Sequence, residues 1–151
     1  MKSVSIWDVP EVRAVFGLYG GRQRRLVFIG VADSLLERIV KQLVVSDRAA
    51  AGALIMHPGF VNEIRWWQHG EFADSDAARA AAFVASDVLE PLFSSRLPSS
   101  PSARDLASDA QFRERMVALF AGPPSGIATI PTLEAVIERL DALEARIARR
   151  D

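Results

Sequence analysis

The sequence predicts an α+β fold: a three-stranded, mostly antiparallel sheet flanked by helices, followed by a C-terminal helical extension. Three observations point to it. Two β-prone runs, Val12 to Tyr19 and Leu26 to Gly30, bracket a polar turn holding Gly20 and Gly21, which is the pattern of a β-hairpin. A third run, Phe60 to Trp67, has the same β-rich composition. Between and after these runs lie segments of helical periodicity with recognisable start signals. The expected strands are residues 12–19, 26–30 and 61–67.

The helices follow in order. Ser34 and Glu37 stand as a capping box, and behind them Leu35, Leu36, Ile39, Val40 and Leu43 recur at helical spacing, predicting a helix over about residues 35–45. Ala49 to Met56 is small and apolar and predicts a second short helix, ended by His57-Pro58-Gly59. Asp74 and Ser75 cap an alanine-rich helix that runs to about Leu89 and stops at Pro91. The first domain, residues 1–93, therefore reads β-β-α-α-β-α. Residues 94–104 are Ser/Pro-rich and read as a linker. Residues 105–151 read as a helical extension: a helix from Asp105 to Phe120, a break at Ala121 to Gly126, and a last amphipathic helix from Thr132. In that helix Leu133, Val136, Leu140, Leu143 and Ile147 are spaced 3, 4, 3 and 4. Such a stripe needs a cover: the 105–120 helix, the domain, a partner protein, or the same residues 132–150 of another copy.

Composition limits the function classes. The chain has 151 residues, half apolar and a quarter charged, an ordinary globular balance. A formal charge of −1 argues against coating nucleic acid or membrane by bulk electrostatics. The absence of cysteine excludes disulfides, zinc ribbons and thiol catalysis. No signal-peptide run opens the sequence, and no stretch approaches the roughly eighteen apolar residues of a membrane span. The expectation is a soluble, cytoplasmic protein with no membrane partner.

Strand parity then sorts the side chains. Side chains alternate between the faces of a strand. Phe16, Leu18, Val27, Ile29, Ile64 and Trp66 form a consistent core face. The opposite face collects Arg13, Tyr19, Phe28, Glu63, Arg65 and Trp67, with Gly17 and Gly30 leaving a floor. Arg38 and Gln42, four apart on one helix face, overhang it. Arg22, Arg24 and Arg25 cluster at the hairpin tip. Arginines interleaved with exposed rings suit phosphate contact and base stacking.

Gly17-Leu18-Tyr19, then eight residues, then Phe28-Ile29-Gly30 resembles the paired tripeptides of the GIY-YIG nuclease superfamily. The continuation resembles it too. Ser34-Leu35 opens the next helix, Arg38 stands eight residues after Gly30, and a third strand and a helix ending before a proline follow. The resemblance covers about residues 12–91. It implies metal-assisted phosphodiester hydrolysis, with Tyr19 and Arg38 as the catalytic pair. The sequence departs from that pattern in three places. Phe28 lacks the hydroxyl of the second tyrosine, and Gln42 stands where many members have His or Tyr. Ala82 occupies the position, nine residues before Pro91, of the glutamate that binds the cation. Alanine cannot ligate Mg²⁺, which needs oxygen donors.

The resemblance thus implies a nucleic-acid-acting protein, DNA being the expected partner, that binds or is a degenerate endonuclease without a cofactor. An active Mg²⁺- or Mn²⁺-dependent enzyme would need a shifted carboxylate: Glu63, which parity places on the site face, or Glu71 or Asp87. A third class is an adaptor that uses the fold as scaffold and the C-terminal helices for partner binding. On the resemblance, Ala82→Glu should create a response to Mg²⁺.

Overall fold

The computed structural model describes residues 3–21, 23–43, 61–92, 100–129 and 133–150. Its elements are β1 (Val4–Ser5), β2 (Ala14–Gly20), β3 (Arg25–Ala32), α1 (Leu35–Leu43), β4 (Val61–Trp67), α2 (Ser75–Leu89), α3 (Pro101–Ser108), α4 (Ala110–Ala121), β5 (Gly126–Thr129) and α5 (Leu133–Arg150). The helix expected over 49–56 and residue Arg22 lie outside the described residues, as does the side chain of Gln42. Among the described residues no helix is long and apolar enough to cross a membrane.

The class is α+β, and the three expected strands are present with β2 in the centre, antiparallel to both β3 and β4. The sheet does not stop there. Its order is β1-β5-β4-β2-β3, with β5 antiparallel to β4 and β1 parallel to β5, so it is a mixed sheet of five strands rather than three. The added strands have four and two residues. Runs so short carry no readable period, and pairing organises them, β5 on β4 and β1 on β5.

Both faces of the sheet are covered, which corrects the expectation of one open face. All seven residues of β2 are buried. Its sequence, Ala-Val-Phe-Gly-Leu-Tyr-Gly, is a continuous apolar run rather than an alternation, the mark of a strand buried on both sides. One face packs Phe16, Leu18, Val27, Ile64 and Trp66 against Leu35 and Ile39 of α1. The other packs Val15, Tyr19, Ile29 and Trp67 against α2, α3 and α4. Helix α2 is enclosed by the sheet and two helices. Ala77, Ala78, Ala80, Ala81, Ala82, Val84 and Ala85 are all buried, and small side chains let a helix lie close to several neighbours.

The linker expected at 94–104 ends early. Ser100 caps α3 by accepting a hydrogen bond from the Ala103 amide at 3.1 Å, with Pro101 in the first turn where its missing N–H costs nothing. The single helix expected over 105–120 is two helices. Asp109 breaks the run and caps α4, its carboxylate accepting from the Phe112 amide at 2.9 Å. Ala103, Phe112, Met116 and Phe120 then join the same core as Val15 and Tyr19. The segment from Pro101 to Thr129 is therefore built into the sheet and core of the first ninety residues.

Candidate functional site

Two irregularities in the sheet decide where the expected site residues point. Leu18 pairs with Phe28 but Tyr19 pairs with Leu26, leaving Val27 as an extra residue in β3. Tyr19 pairs with Glu63 but Gly20 pairs with Val61, leaving Asn62 extra in β4. The first bulge inverts the parity of β3 beyond Val27. Phe28 and Gly30 consequently lie on the face of Phe16 and Leu18, and Ile29 lies on the face of Tyr19. The expected meeting of Tyr19 with Phe28 does not occur.

The ring that Phe28 meets is Phe16, with centroids 6.2 Å apart. Gly30 makes the slot between them: a Cβ there would fall 2.6 Å from Phe16 Cζ and 2.9 Å from Phe28 Cε1. The two aromatic side chains that face one another across the hairpin are thus both phenylalanines.

Tyr19 instead enters a charged cluster at the other face. The Arg65 guanidinium carbon sits 4.3 Å from the centroid of its ring, a cation–π contact. Arg65 Nε donates to Glu63 Oε2 at 2.6 Å, and Arg24 Nη1 donates to Glu63 Oε1 at 3.3 Å. Tyr19 is only 8% exposed. Burial pushes its phenol above the ordinary range; Arg65 opposes the rise and the Glu63 carboxylate reinforces it. A phenol that keeps its proton so firmly is a poor base toward water.

The carboxylates offered as substitute metal ligands are engaged elsewhere. Glu63 is buried with one oxygen on each of two arginines. Glu71 accepts two hydrogen bonds from Arg115, at 2.8 and 3.1 Å, and that contact holds its carboxyl below the usual range. Asp87 faces Arg113 at 3.1 Å. Ala82 is fully buried in the core. Among the described residues no group of three or more His, Asp or Glu side chains is placed to hold a metal ion. The residues present do not fit the cation that the resemblance implies.

Arg38 is exposed and lies away from Tyr19. It lines a cleft of about 300 Å³ with Val31, Ala32, Asp33, Ser34, Ser75 and Arg79, where α1 and α2 begin. Ala32 ends β3, whereas Leu26, which pairs with Tyr19, stands six residues earlier in it. At a strand rise of about 3.3 Å the two places are roughly 20 Å apart. Two acids line the cleft as well: Asp33, which is drawn off by Arg13 at 3.1 Å, and the exposed Glu37, next to Arg38 in sequence. Arg79 approaches Asp76 only to 3.8 Å, and among the described residues no carboxylate forms an ion pair with Arg38.

The remaining expected contacts divide. Arg24 and Arg25 are exposed at the hairpin tip, Arg24 also reaching Glu63. Arg13 lines a separate cleft with Val12, Gln68, His69, Gly70, Phe72 and Ala73. It joins Asp33 to the backbone carbonyls of Phe72 and Ala73, tying the entry of α1 to the turn before α2. Trp67 is no stacking platform either, because it is buried edge-on against Phe120 at 5.5 Å.

Sequence reasoning missed Arg79, and a signal for it was present. Arg38 follows Ser34 by four residues and Arg79 follows Ser75 by four, so each arginine stands one turn inside its helix. Comparison of the chain with protein-family models, curated proteins and solved structures finds no match in any of the three.

Proposed function

We propose that this chain is a GIY-YIG-like domain that grips a phosphodiester backbone, DNA being the expected ligand, and does not cut it. The observation that carries the binding half is the pairing of Arg38 and Arg79 in one cleft, with Ser34 and Ser75 beside them and Asp33 and Glu37 also in its lining. Arg38 is the position to which the resemblance assigns phosphate contact. Guanidinium forks and hydroxyl donors at helix starts are the groups that hold phosphate. Strand β3 is the sheet's edge, with the cleft at one end and the exposed Arg25 at the other. A backbone lying along that edge would meet cations at both ends.

Loss of cleavage rests on chemistry. The rings facing one another are Phe16 and Phe28, without a hydroxyl; Tyr19 keeps its proton; Ala82 supplies no ligand and Glu63 is held by two arginines. Arginine neutralises phosphate but cannot activate water as a bound cation does, and removing one well-placed electrostatic contributor commonly costs about 10²–10³ in rate.

Fluorescence anisotropy of labelled duplex and single-stranded DNA at low salt tests the binding. Binding should weaken as salt rises. Arg38→Ala and Arg79→Ala should each weaken it further and reduce the salt slope by about one. Absence of binding at low salt, or binding indifferent to both substitutions, would remove the reading. Incubating the natural protein with plain, nicked and branched DNA in Mg²⁺ or Mn²⁺ should leave the DNA intact, and robust cutting would overturn the second half.

A further inference from the structure

Helix α5 carries an apolar stripe whose described members, Leu143 and Ile147, are left exposed. Every side chain from Asp141 to Arg149 is exposed, including Leu143 at 43% and Ile147 at 64%. Helix α4, the nearest expected cover, is itself built into the core through Phe112, Met116 and Phe120. In an 18-residue helix, about 27 Å long at 1.5 Å per residue, the two described side chains of the 3-4-3-4 apolar stripe, Leu143 and Ile147, thus have nothing on them among the described residues.

The charges beside that seam specify what fits it. With Leu133, Leu140 and Ile147 at the first core position of each heptad, Val136 and Leu143 take the second. The flanking position before each first-core residue is then Thr132, Arg139 and Arg146, and the flanking position after each second-core residue is Ile137 and Glu144. In a parallel pair of identical helices the former flank of one meets the latter flank of the other five residues further on. Arg139 then faces the second copy's Glu144. In an antiparallel pair each flank meets its own kind, so arginine would face arginine.

We infer that α5 is a self-association element that pairs in parallel with α5 of a second copy of this chain, burying Leu140, Leu143 and Ile147 between them and setting register through Arg139 and Glu144. The inference does not depend on nucleic-acid binding. Two and a half heptads make a short coil, so the pair is reversible and concentration-dependent.

Light scattering and sedimentation of the full chain, from low micromolar to near-millimolar concentration, provide the test. The mass should rise from 16.5 kDa toward twice that value. Leu143→Lys with Ile147→Lys, both at exposed positions, should return the chain to monomer and leave the unfolding midpoint unchanged at concentrations where the natural chain is itself monomeric. Glu144→Arg should weaken association, and Arg139→Glu together with Glu144→Arg should restore it. Because the chain has no cysteine, Arg150→Cys introduces a single thiol, and mild oxidation should link two copies only if the helices run in parallel. A monomer at all concentrations would overturn the inference and leave the seam to a different protein. A dimer that survives the two lysines, or a dimer that Arg150→Cys cannot link, would overturn it equally.

Discussion

Gly126 begins β5 with the Trp66 ring of β4 directly over it. A Cβ at that position would lie 2.0 Å from Trp66 Cζ2 and 2.5 Å from Cε2, both atoms of a rigid indole that is itself buried. Neither partner can yield without moving the sheet. Gly126→Ala should therefore destabilise the protein by about 1–3 kcal/mol, as overpacking does, and lower the melting temperature by several degrees. Gly70 is the internal control, since a Cβ there meets nothing within 4 Å and Gly70→Ala should leave the midpoint almost unchanged. Thermal unfolding followed by tryptophan fluorescence compares the two; equal effects would show that the Trp66 contact is not what matters. At this scale the sequence was informative but ambiguous. Gly30 stood out as part of a tripeptide, yet its packing reason, the slot it leaves for Phe16 and Phe28, needs a partner strand to be seen.

Elements were easier to find than to orient. The hairpin, the third strand, the Ser34-capped helix and the alanine-rich helix were legible because each has its own period and its own cap. The face each one presents was not. One extra residue at Val27 inverts the parity of β3, and a bulge has no signature in a run as uniform as Leu-Val-Phe-Ile. The unbroken apolar run of β2 did carry a warning that both faces are covered. The same burial changes what Ala82 means. A glutamate there would bring an unpaired carboxylate into the fully buried face of α2, where removing a charge from water costs several kcal/mol. Ala82→Glu should therefore lower stability severely and create no response to Mg²⁺, whereas Ala82→Ser should cost far less. Urea unfolding of the two variants decides; a stable Ala82→Glu protein would mean that α2 has more freedom than its packing implies.

On the scale of the whole molecule, Arg115 of α4 reaches across to Glu71 in the turn after β4, tying the helical layer to the sheet 44 residues away in sequence. Arg115 depresses the Glu71 carboxyl, so the pair's contribution is present above the ordinary glutamate range of about 4.3 and is lost as pH falls through the lowered folded value. Glu71→Gln should lower the unfolding midpoint near neutral pH by a small amount, because both side chains are partly solvated, and the two proteins should converge in acid. Unfolding midpoints measured against pH provide the comparison, and curves that stay parallel into acid would dissociate this pair from the acid response. Added salt should narrow the neutral-pH difference.

The sequence by itself determined the α+β class, the three longer strands, the capped helices and the spacing of the last helix's apolar seam. These follow from periods, caps and residue chemistry that act within a dozen residues. Tertiary structure decided the rest. The two short strands exist only through pairing, β5 with β4 and β1 with β5, the 101–129 segment belongs to the first core because its apolar residues have a sheet face to cover, and Tyr19 and Arg38 are separated by the length of β3. Each of these depends on which surfaces meet, and meeting is set by long-range burial and by strand register, to which a one-residue bulge is enough to give the opposite sign.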